Sequence, residues 1–545
     1  MSLPLQAAHP ATGARNPSQA VMSIDLALVL GLALLWRLLF FNGPFGSDDG
    51  VYLQRALDVA TGAWTSADYN GALRYGYNIP AGLMMLLFGR SIAAANLWPL
   101  LCSLAEVALL YVFLRELLDR RAASIGSLLL GTAPLHIAVA TRIHADPVVS
   151  FFLTAAFVAT FMGLRRRSSA WCLAAGIALG GVYWSKELAA VVYFAFVPLL
   201  WYFRRYAQGV AWALTGLSLM LVANGLLMLW IAGDPLHTVR VVLGSLSRSF
   251  IQEGGGEDSP LYYLRYLFLD PRHLGLLGWL AVAGLWGWLR RSANAGTTAG
   301  PVDAGVPGLG FVVFWLLGLL LVLSAFPVSL SPLRFTMKQS NYISLFLAPL
   351  AAMAAVAVSG WRPRWRSAAM LATMALGLLL GALQQADYRV FTANSKGIAR
   401  VMQGRDDALL VGNRSHSGIA AMQATLTGQP VPVVNYSEAA SDPAAFSRRA
   451  SGARELLAAV DPQTAAWFGG SQVLTKPRPC WRLHADVTPL ELGLGNRLAA
   501  GIASAARRIP GQVSAKVATA AVRLAAPEPA WIYAVPAGRL WCDAP

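Results

Sequence analysis

From Ile24 to about position 384 the chain is a succession of long apolar runs separated by short polar segments, and that spacing leaves one class of architecture open. The runs lie at 24–41 and near 95–114, 124–140, 148–164, 171–185, 188–203, 211–232, 274–289, 309–328, 343–359 and 368–384. A helix needs roughly 20 apolar residues to cross the hydrocarbon core, so about eleven spanning helices are expected. Only 13% of the 545 residues are charged and 56% are hydrophobic, against roughly 25% charge in soluble domains. A water-soluble globular enzyme is excluded. The first run has the position of a signal peptide, but Arg15 is the only basic residue before it and no small-x-small cleavage site follows. It reads as a retained span.

The net charge of +16 suggests nucleic acid only until its placement is read. The basic residues cluster between spans: Arg115, Arg120 and Arg121; Arg165 to Arg167; Arg204 and Arg205; Arg290 and Arg291; Arg362, Arg364 and Arg366. Every second loop is basic, as positive-inside topology requires. The tail 1–23 is then cytoplasmic, odd-numbered spans exit on the outer face, and the segment 385–545 lies outside. Nucleic acid is not an expected partner; membrane lipid is.

Three domains follow: the tail, a membrane domain over 24–384, and a small outer domain over 385–545. The fold class is an all-α polytopic domain followed by a soluble α/β unit, with Ala408 to Gly412 and Val431 to Asn435 read as strands around a helix at Ser417 to Leu426. From Arg389 onward 17 Lys and Arg stand against 10 Asp and Glu, a surplus that favours an anionic surface or substrate. Cys480 and Cys542 both fall in this outer domain, where a disulfide can persist; Cys102 and Cys172 fall within spans. Two outer loops are long. The loop 42–91 carries an amphipathic stretch after Asp49 and an apolar run, Ile79 to Phe88, too short to cross and expected along the surface. The loop 234–273 carries Gly254 to Gly256 beside Glu253, Glu257 and Asp258, then Tyr262, Tyr263, Tyr266 and Phe268, which suits either a gate or a plain surface loop.

The outer face collects the unusual polar residues. Asp48 and Asp49 follow the first span, Asp146 lies between spans three and four beside Arg142 and His144, Lys186 follows span five, and Arg334 and Lys338 precede span ten. Carboxylates near a bilayer are costly unless they stay at the interface, pair or act. A carboxylate there can serve as general base on an acceptor or hold a divalent cation, while Lys and Arg can neutralise a phosphate leaving group.

An acidic pair just after the first span followed by Tyr52, Ala56 and Gly62, a Pro-containing surface helix ending at Phe88-Gly89, and Asp146 at the head of a span resemble the GT-C superfamily of membrane glycosyltransferases. Within it the chain is similar to bacterial relatives of protein O-mannosyltransferase and of the aminoarabinose transferase of lipid A, over about residues 24–360. Lys186 and the stretch Lys338 to Tyr342 before Pro349 also resemble family positions. The resemblance implies transfer of a sugar from a polyprenyl-phosphate donor to a lipid, glycan or protein acceptor on the periplasmic side of a bacterial inner membrane. Asp48 matches the first-loop acidic residue taken as catalytic base, Asp49 its acidic neighbour, and Asp146 the second-loop acid that orients the acceptor or supports a metal; a divalent cation is thus the one candidate cofactor. Tyr52, Arg74, Arg142, His144, Lys186, Arg334 and Lys338 are the implied substrate contacts. Where many relatives carry Lys-Pro-Pro-Leu, this chain has Arg74-Tyr-Gly-Tyr-Asn-Ile-Pro80, and Arg74 stands in for that Lys.

Each of these residues also has a structural explanation. Ser47-Asp48-Asp49 fits an N-cap with first-turn carboxylates, and Asp146 before Pro147 fits a helix start. Lys186 can snorkel and pair with Glu187, and Arg334, Lys338 and His144 fit interfacial anchors. His237 and His273 show no metal-ligand spacing. Competing functions are a secondary transporter, expected to hold ionisable groups at mid-membrane in two related halves, a non-catalytic scaffold, and an oligosaccharide-transferring enzyme of the same superfamily.

Overall fold

A computed structural model of the chain describes residues 24–186, 189–197, 206–252, 259–295, 308–331, 333–336, 338–465, 467, 473–536 and 542. Its membrane part comprises α1 (Ile24–Leu39), α2 (Asp48–Thr61), α3 (Tyr75–Phe88), α4 (Ile92–Leu117), α5 (Arg120–Gly131), α6 (Pro134–Ala140), α7 (Asp146–Arg166), α8 (Ser169–Ser185), α9 (Ala189–Val192), α10 (Ala207–Ala232), α11 (His237–Gln252), α12 (Tyr262–Phe268), α13 (Leu277–Ala295), α14 (Gly308–Ala325), α15 (Ser344–Ser359) and α16 (Pro363–Met402). A short antiparallel hairpin, β1 (Pro327–Leu330) with β2 (Leu333–Phe335), joins α14 to the turn before α15.

The bundle closes around α15, in which every residue from Ser344 to Val358 is buried. Its Ala-rich surface lets neighbouring backbones approach, the usual source of packing energy where apolar burial alone gives none. Phe157 stacks on Trp315 at 4.9 Å and Phe113 meets Phe161 at 5.1 Å, edge to face, beside it. Pro349 inside α15 and Pro99 inside α4 are tolerated because neighbouring helices cover the backbone they disturb.

Among the described residues six helices are long and apolar enough to cross a membrane, and α5 with α6, bent by 61°, makes a seventh if the pair is one broken span. This is a multi-pass membrane protein. The expected eleven spans are not reached on this criterion, because α1 and α8 have only 16 and 17 residues, α13 carries Arg290 and Arg291 near its end, and the run at 188–203 lies partly outside the described residues, whereas α15 reaches 20 residues with the turn Ser340–Ile343 before it.

The C-terminal unit continues with β3 (Ala408–Gly412), α17 (Arg414–Thr427), β4 (Val433–Asn435), α18 (Tyr436–Ser441), α19 (Pro443–Ser451), β5 (Glu455–Val460), α20 (Pro462–Ala465), β6 (Arg482–Asp486), α21 (Leu494–Arg507), α22 (Gln512–Ala525) and β7 (Trp531–Val535). The sheet order is β4-β3-β5-β7-β6, with β3 parallel to both β4 and β5 and the other pairs antiparallel. Cys480 and Cys542 are bonded to each other. The helix α16 runs unbroken through position 384, so the last apolar run and the base of the C-terminal unit are one rod of 40 residues.

In open α/β sheets the crevice beyond the C-terminal ends of strands, where the chain order reverses, is the usual ligand site. Here that crevice, between β3 and β5, is filled by the protein itself. Asp461 after β5 meets His416 at 3.1 Å and accepts from Thr464 at 2.5 Å and from Asn394 of α16 at 3.3 Å, while Ser395 of α16 bonds Ser415 at 2.9 Å. Burial pushes the Asp461 carboxyl up, and the His416, Thr464 and Asn394 contacts outweigh it, leaving the group below its ordinary range.

Candidate functional site

The loop between α1 and α2 turns back over the end of the bundle with Gly43 and Gly46 at positive φ, 81° and 84°. At Gly46 a side chain is doubly excluded, since a Cβ would lie 2.9 Å from the Ser415 carbonyl of α17. Phe45 stacks on Phe391 of α16 at 4.8 Å. Asp49 locks this loop: one carboxylate oxygen accepts from the N–H of Phe45 and Gly46, the other from Ser47 at 2.6 Å. The capping explanation is therefore changed in detail. Ser47 makes no side-chain cap, and Asp49 bonds the amides before the helix rather than within it. Burial pushes the Asp49 carboxyl above its ordinary range despite those three donors.

Asp48 is free of that task. It is partly exposed and accepts from the Tyr69 hydroxyl at 2.9 Å. Tyr52, on the next turn of α2, is fully buried, lies 5.2 Å from the Tyr77 ring, and sits edge-on to His144 at 6.3 Å with the Arg74 guanidinium 5.3 Å from its face.

His144 leads to the second carboxylate. Asp146 opens α7, yet it caps nothing there: one oxygen accepts from Lys186 Nζ at 2.6 Å, the other lies 2.9 Å from His144 Nδ1 and accepts from the Asn341 amide. Both Asp146 and Lys186 are almost wholly buried, at 2% and 4% exposed. The ammonium also sits 4.6 Å from the Tyr342 ring centre. Thus Lys186 pairs with Asp146, whereas the Glu187 alternative lies outside the described residues.

Beside this cluster is a cavity of about 310 Å³ lined by Asn70, Leu73, Arg74, Tyr183, Lys186, Tyr193, Leu221, Thr238, Val239 and Val242. Arg74 and Lys186 are its two cations, and Asn70 connects its rim to Tyr69 and hence to Asp48. The fold thus brings together Asp48, Tyr52, Arg74, His144, Asp146 and Lys186 from three separate segments of the chain. It does not bring Arg142, Arg334 or Lys338 to that cavity wall. Arg142 stacks on Tyr388 of α16 at 4.0 Å, Arg334 lies in β2, and Lys338 sits over Phe335 at 5.3 Å. Sequence reading missed Tyr69, and gave no individual role to Asn341 or Tyr342. The last two lie in the stretch 333–342, where the cations drew attention from the polar residues that make the contacts.

Among the described residues no group of three or more His, Cys, Asp or Glu is placed to hold a metal ion. His237 bonds the Ala67 carbonyl at 3.0 Å, and His273 packs on Tyr266. The glycines and acids at 253–258 lie outside the described residues, and the aromatic run that follows them packs inward, with Tyr263 buried against Phe346.

Residues 78–228 match the family model for dolichyl-phosphate-mannose-protein mannosyltransferase. Two solved structures of ArnT from Cupriavidus metallidurans superpose with TM-score 0.55. The apo form is 18% identical and the form bound to undecaprenyl phosphate 17%, each covering 84% of this chain and 96% of its own. The fold is that of the GT-C glycosyltransferases. An Archaeoglobus fulgidus oligosaccharyltransferase tethered to an acceptor peptide containing the NVT sequon aligns with TM-score 0.52 and 12% identity, over 85% of this chain and 73% of its own. No curated protein matches the chain in sequence. The likeness in fold extends well past the stretch matched by the family model and beyond position 384, since the alignments cover more than four fifths of the chain.

Proposed function

We propose that this chain transfers a sugar from a polyprenyl-phosphate donor to a lipid, glycan or protein acceptor on the outer face of a bacterial inner membrane. The observation that carries the reading is the cavity in which two cations, Arg74 and Lys186, stand on walls otherwise made largely of Leu, Val and Tyr. A phosphate needs the cations and an isoprenoid tail needs the apolar wall. Lys186 is held by Asp146, so its charge is fixed in place before the donor arrives, which is the condition for electrostatic stabilisation without reorganisation.

Asp48 is the general base in this scheme. The acceptor O–H or N–H attacks the anomeric carbon and gives its proton to Asp48. The bond from that carbon to the phosphate oxygen breaks, and its electron pair leaves with the polyprenyl phosphate, whose charge Arg74 and Lys186 neutralise. Tyr69 orients Asp48; Asp49 builds the loop that carries it. Arg142, Arg334 and Lys338 remain proposed contacts for parts of donor or acceptor beyond the cavity. The ArnT structure bound to undecaprenyl phosphate and the family match at 78–228 support a lipid-phosphate donor. The test is mass spectrometry of envelope lipids and glycans from cells with the wild-type chain, with Asp48→Asn and with none. Loss of one sugar from one species in the last two supports the reading; unchanged envelopes overturn it.

A further inference from the structure

The helical hairpin α21–α22 has no part in the site described above, and its composition is unusual. Positions 494–525 hold Arg497, Arg507, Arg508, Lys516 and Arg523 and no acidic residue. All five side chains are exposed, and none has a hydrogen-bond or ion-pair partner among the described residues. Large aliphatic side chains stand open beside them: Leu498 is 43% exposed, Ile509 61%, Val513 77% and Val517 44%. Val513, Lys516 and Val517 share one face of α22, at the i, i+3, i+4 spacing of helix neighbours.

The chain leading into the hairpin descends α16 toward the membrane. Leu490 N–H bonds the Ala393 carbonyl, Glu491 pairs with Arg389, Gly495 N–H donates to the Gln385 side chain at 2.9 Å, and a Cβ on Gly495 would lie 2.0 Å from the Ala382 carbonyl. Gln385 also donates to the Leu39 and Phe41 carbonyls. The first turn of α21 is therefore level with the end of α1 and with the end, near position 384, of the apolar run in α16, a helix long and apolar enough to cross a membrane. Between the two helices is an open cleft of about 430 Å³, with Ser504, Arg507 and Arg508 over a floor of Ala503 and Val522.

We propose that α21–α22 is a membrane-surface element that seats on anionic lipid headgroups of the leaflet at the C-terminal end of α1. The aliphatic side chains enter the acyl boundary, the cations meet the headgroup charge, and the Arg507–Arg508 cleft takes a headgroup phosphate. Seating the hairpin also steadies the base of the outer unit, because its anchor on α16 is next to Arg389, whose guanidinium bonds the Phe41 carbonyl in the loop leading to Asp48.

The test uses the full-length chain, one copy per lipid nanodisc, with a bimane label at Val513→Cys or, as a reference, at Arg400→Cys, an exposed site about 22 Å farther along α16 from Gln385. The native free thiols Cys102 and Cys172 are buried, so labelling is confined to the introduced one. Brominated lipid is expected to quench the Val513 label several-fold more than the Arg400 label. Quenching should deepen when phosphatidylglycerol replaces part of the phosphatidylcholine. Arg507→Glu with Arg508→Glu should abolish that deepening, and the milder Arg507→Gln, Arg508→Gln pair should reduce it, which separates charge loss from misfolding. Equal quenching at the two sites overturns the proposal, as does quenching indifferent to phosphatidylglycerol. If inorganic phosphate in the buffer abolishes the phosphatidylglycerol effect, the cleft binds free phosphate and the lipid assignment fails.

Discussion

Glu106 and Asp146 are carboxylates that the bundle buries almost completely, at 0% and 2% exposed, and both are fully hydrogen-bonded. Glu106 accepts from Ser150 at 2.8 Å and Thr154 at 2.9 Å and meets His136 at 3.2 Å. His136 in turn receives Arg37, which spends its remaining donors on Ser103 and on the Ala33 and Gly131 carbonyls. That network begins and ends in protein and ties α1, α4, α6 and α7 together. Asp146 differs in one respect: its cation, Lys186, also lines a cavity. Burial and hydrogen-bond satisfaction are thus shared by a strut and by the proposed site, and only the open side of the cation tells them apart. A transporter reading would make the Arg37–His136–Glu106 chain the functional element. Its complete internal satisfaction argues instead for a structural role.

The comparison can be broken from either side. The largest effect is expected at Asp48→Asn, which should cut glycosyl transfer by about 10²–10⁴-fold, the usual contribution of a positioned base, with expression and membrane insertion unchanged. Activity near wild type in a polyprenyl-phosphate donor assay would remove Asp48 from the mechanism. Lys186→Met should cost about 10²–10³-fold in turnover, as loss of one preorganised charge does, and weaken retention of polyprenyl phosphate. In contrast, Glu106→Ala should act on stability, by about 3–5 kcal/mol, because it strands a buried partner; fluorescence-detected thermal unfolding in detergent would read it. If Glu106→Ala abolishes turnover in protein that still unfolds at the wild-type temperature, the strut is a site and the comparison fails. Tyr69→Phe sharpens it further: losing the hydrogen bond that orients Asp48 should reduce rate by about tenfold, consistent with roughly 1–1.5 kcal/mol per bond.

The smallest effect concerns the C-terminal unit. The Asp461 carboxyl lies below its ordinary value of 3.8 when folded. The stability it contributes is therefore complete above that value and is lost as pH falls through the lower, folded one. Asp461→Asn should flatten the acid limb of the unfolding profile while leaving transfer activity measurable, because this cluster fills the strand-end crevice and does not touch the cavity.

Much of this was legible beforehand. The apolar runs and the alternating Arg clusters mark a membrane protein, because the bilayer imposes a length on each helix and a charge bias on each loop. The strand at Ala408–Gly412 was read directly, since a short buried apolar run bounded by polar residues has few other uses. Asp48, Asp146 and Lys186 stood out because charge at a helix mouth is costly. The separate duties of Asp48 and Asp49 were less visible: adjacent identical residues differ only in which way the helix start points them.

What the sequence alone determined is what local physics fixes: membrane residence, the strand at Ala408–Gly412 with the helix that follows it, and the residue types in the polar segments between the apolar runs. The tertiary structure decided which of them meet. Asn341 reaches Asp146 across 195 positions, Gly46 presses on Ser415, Cys480 finds Cys542, and Arg74 shares a cavity with Lys186 while Arg142 turns away to Tyr388. Such pairings depend on how whole helices cross and on which backbones can approach, and no window of neighbouring residues contains that information.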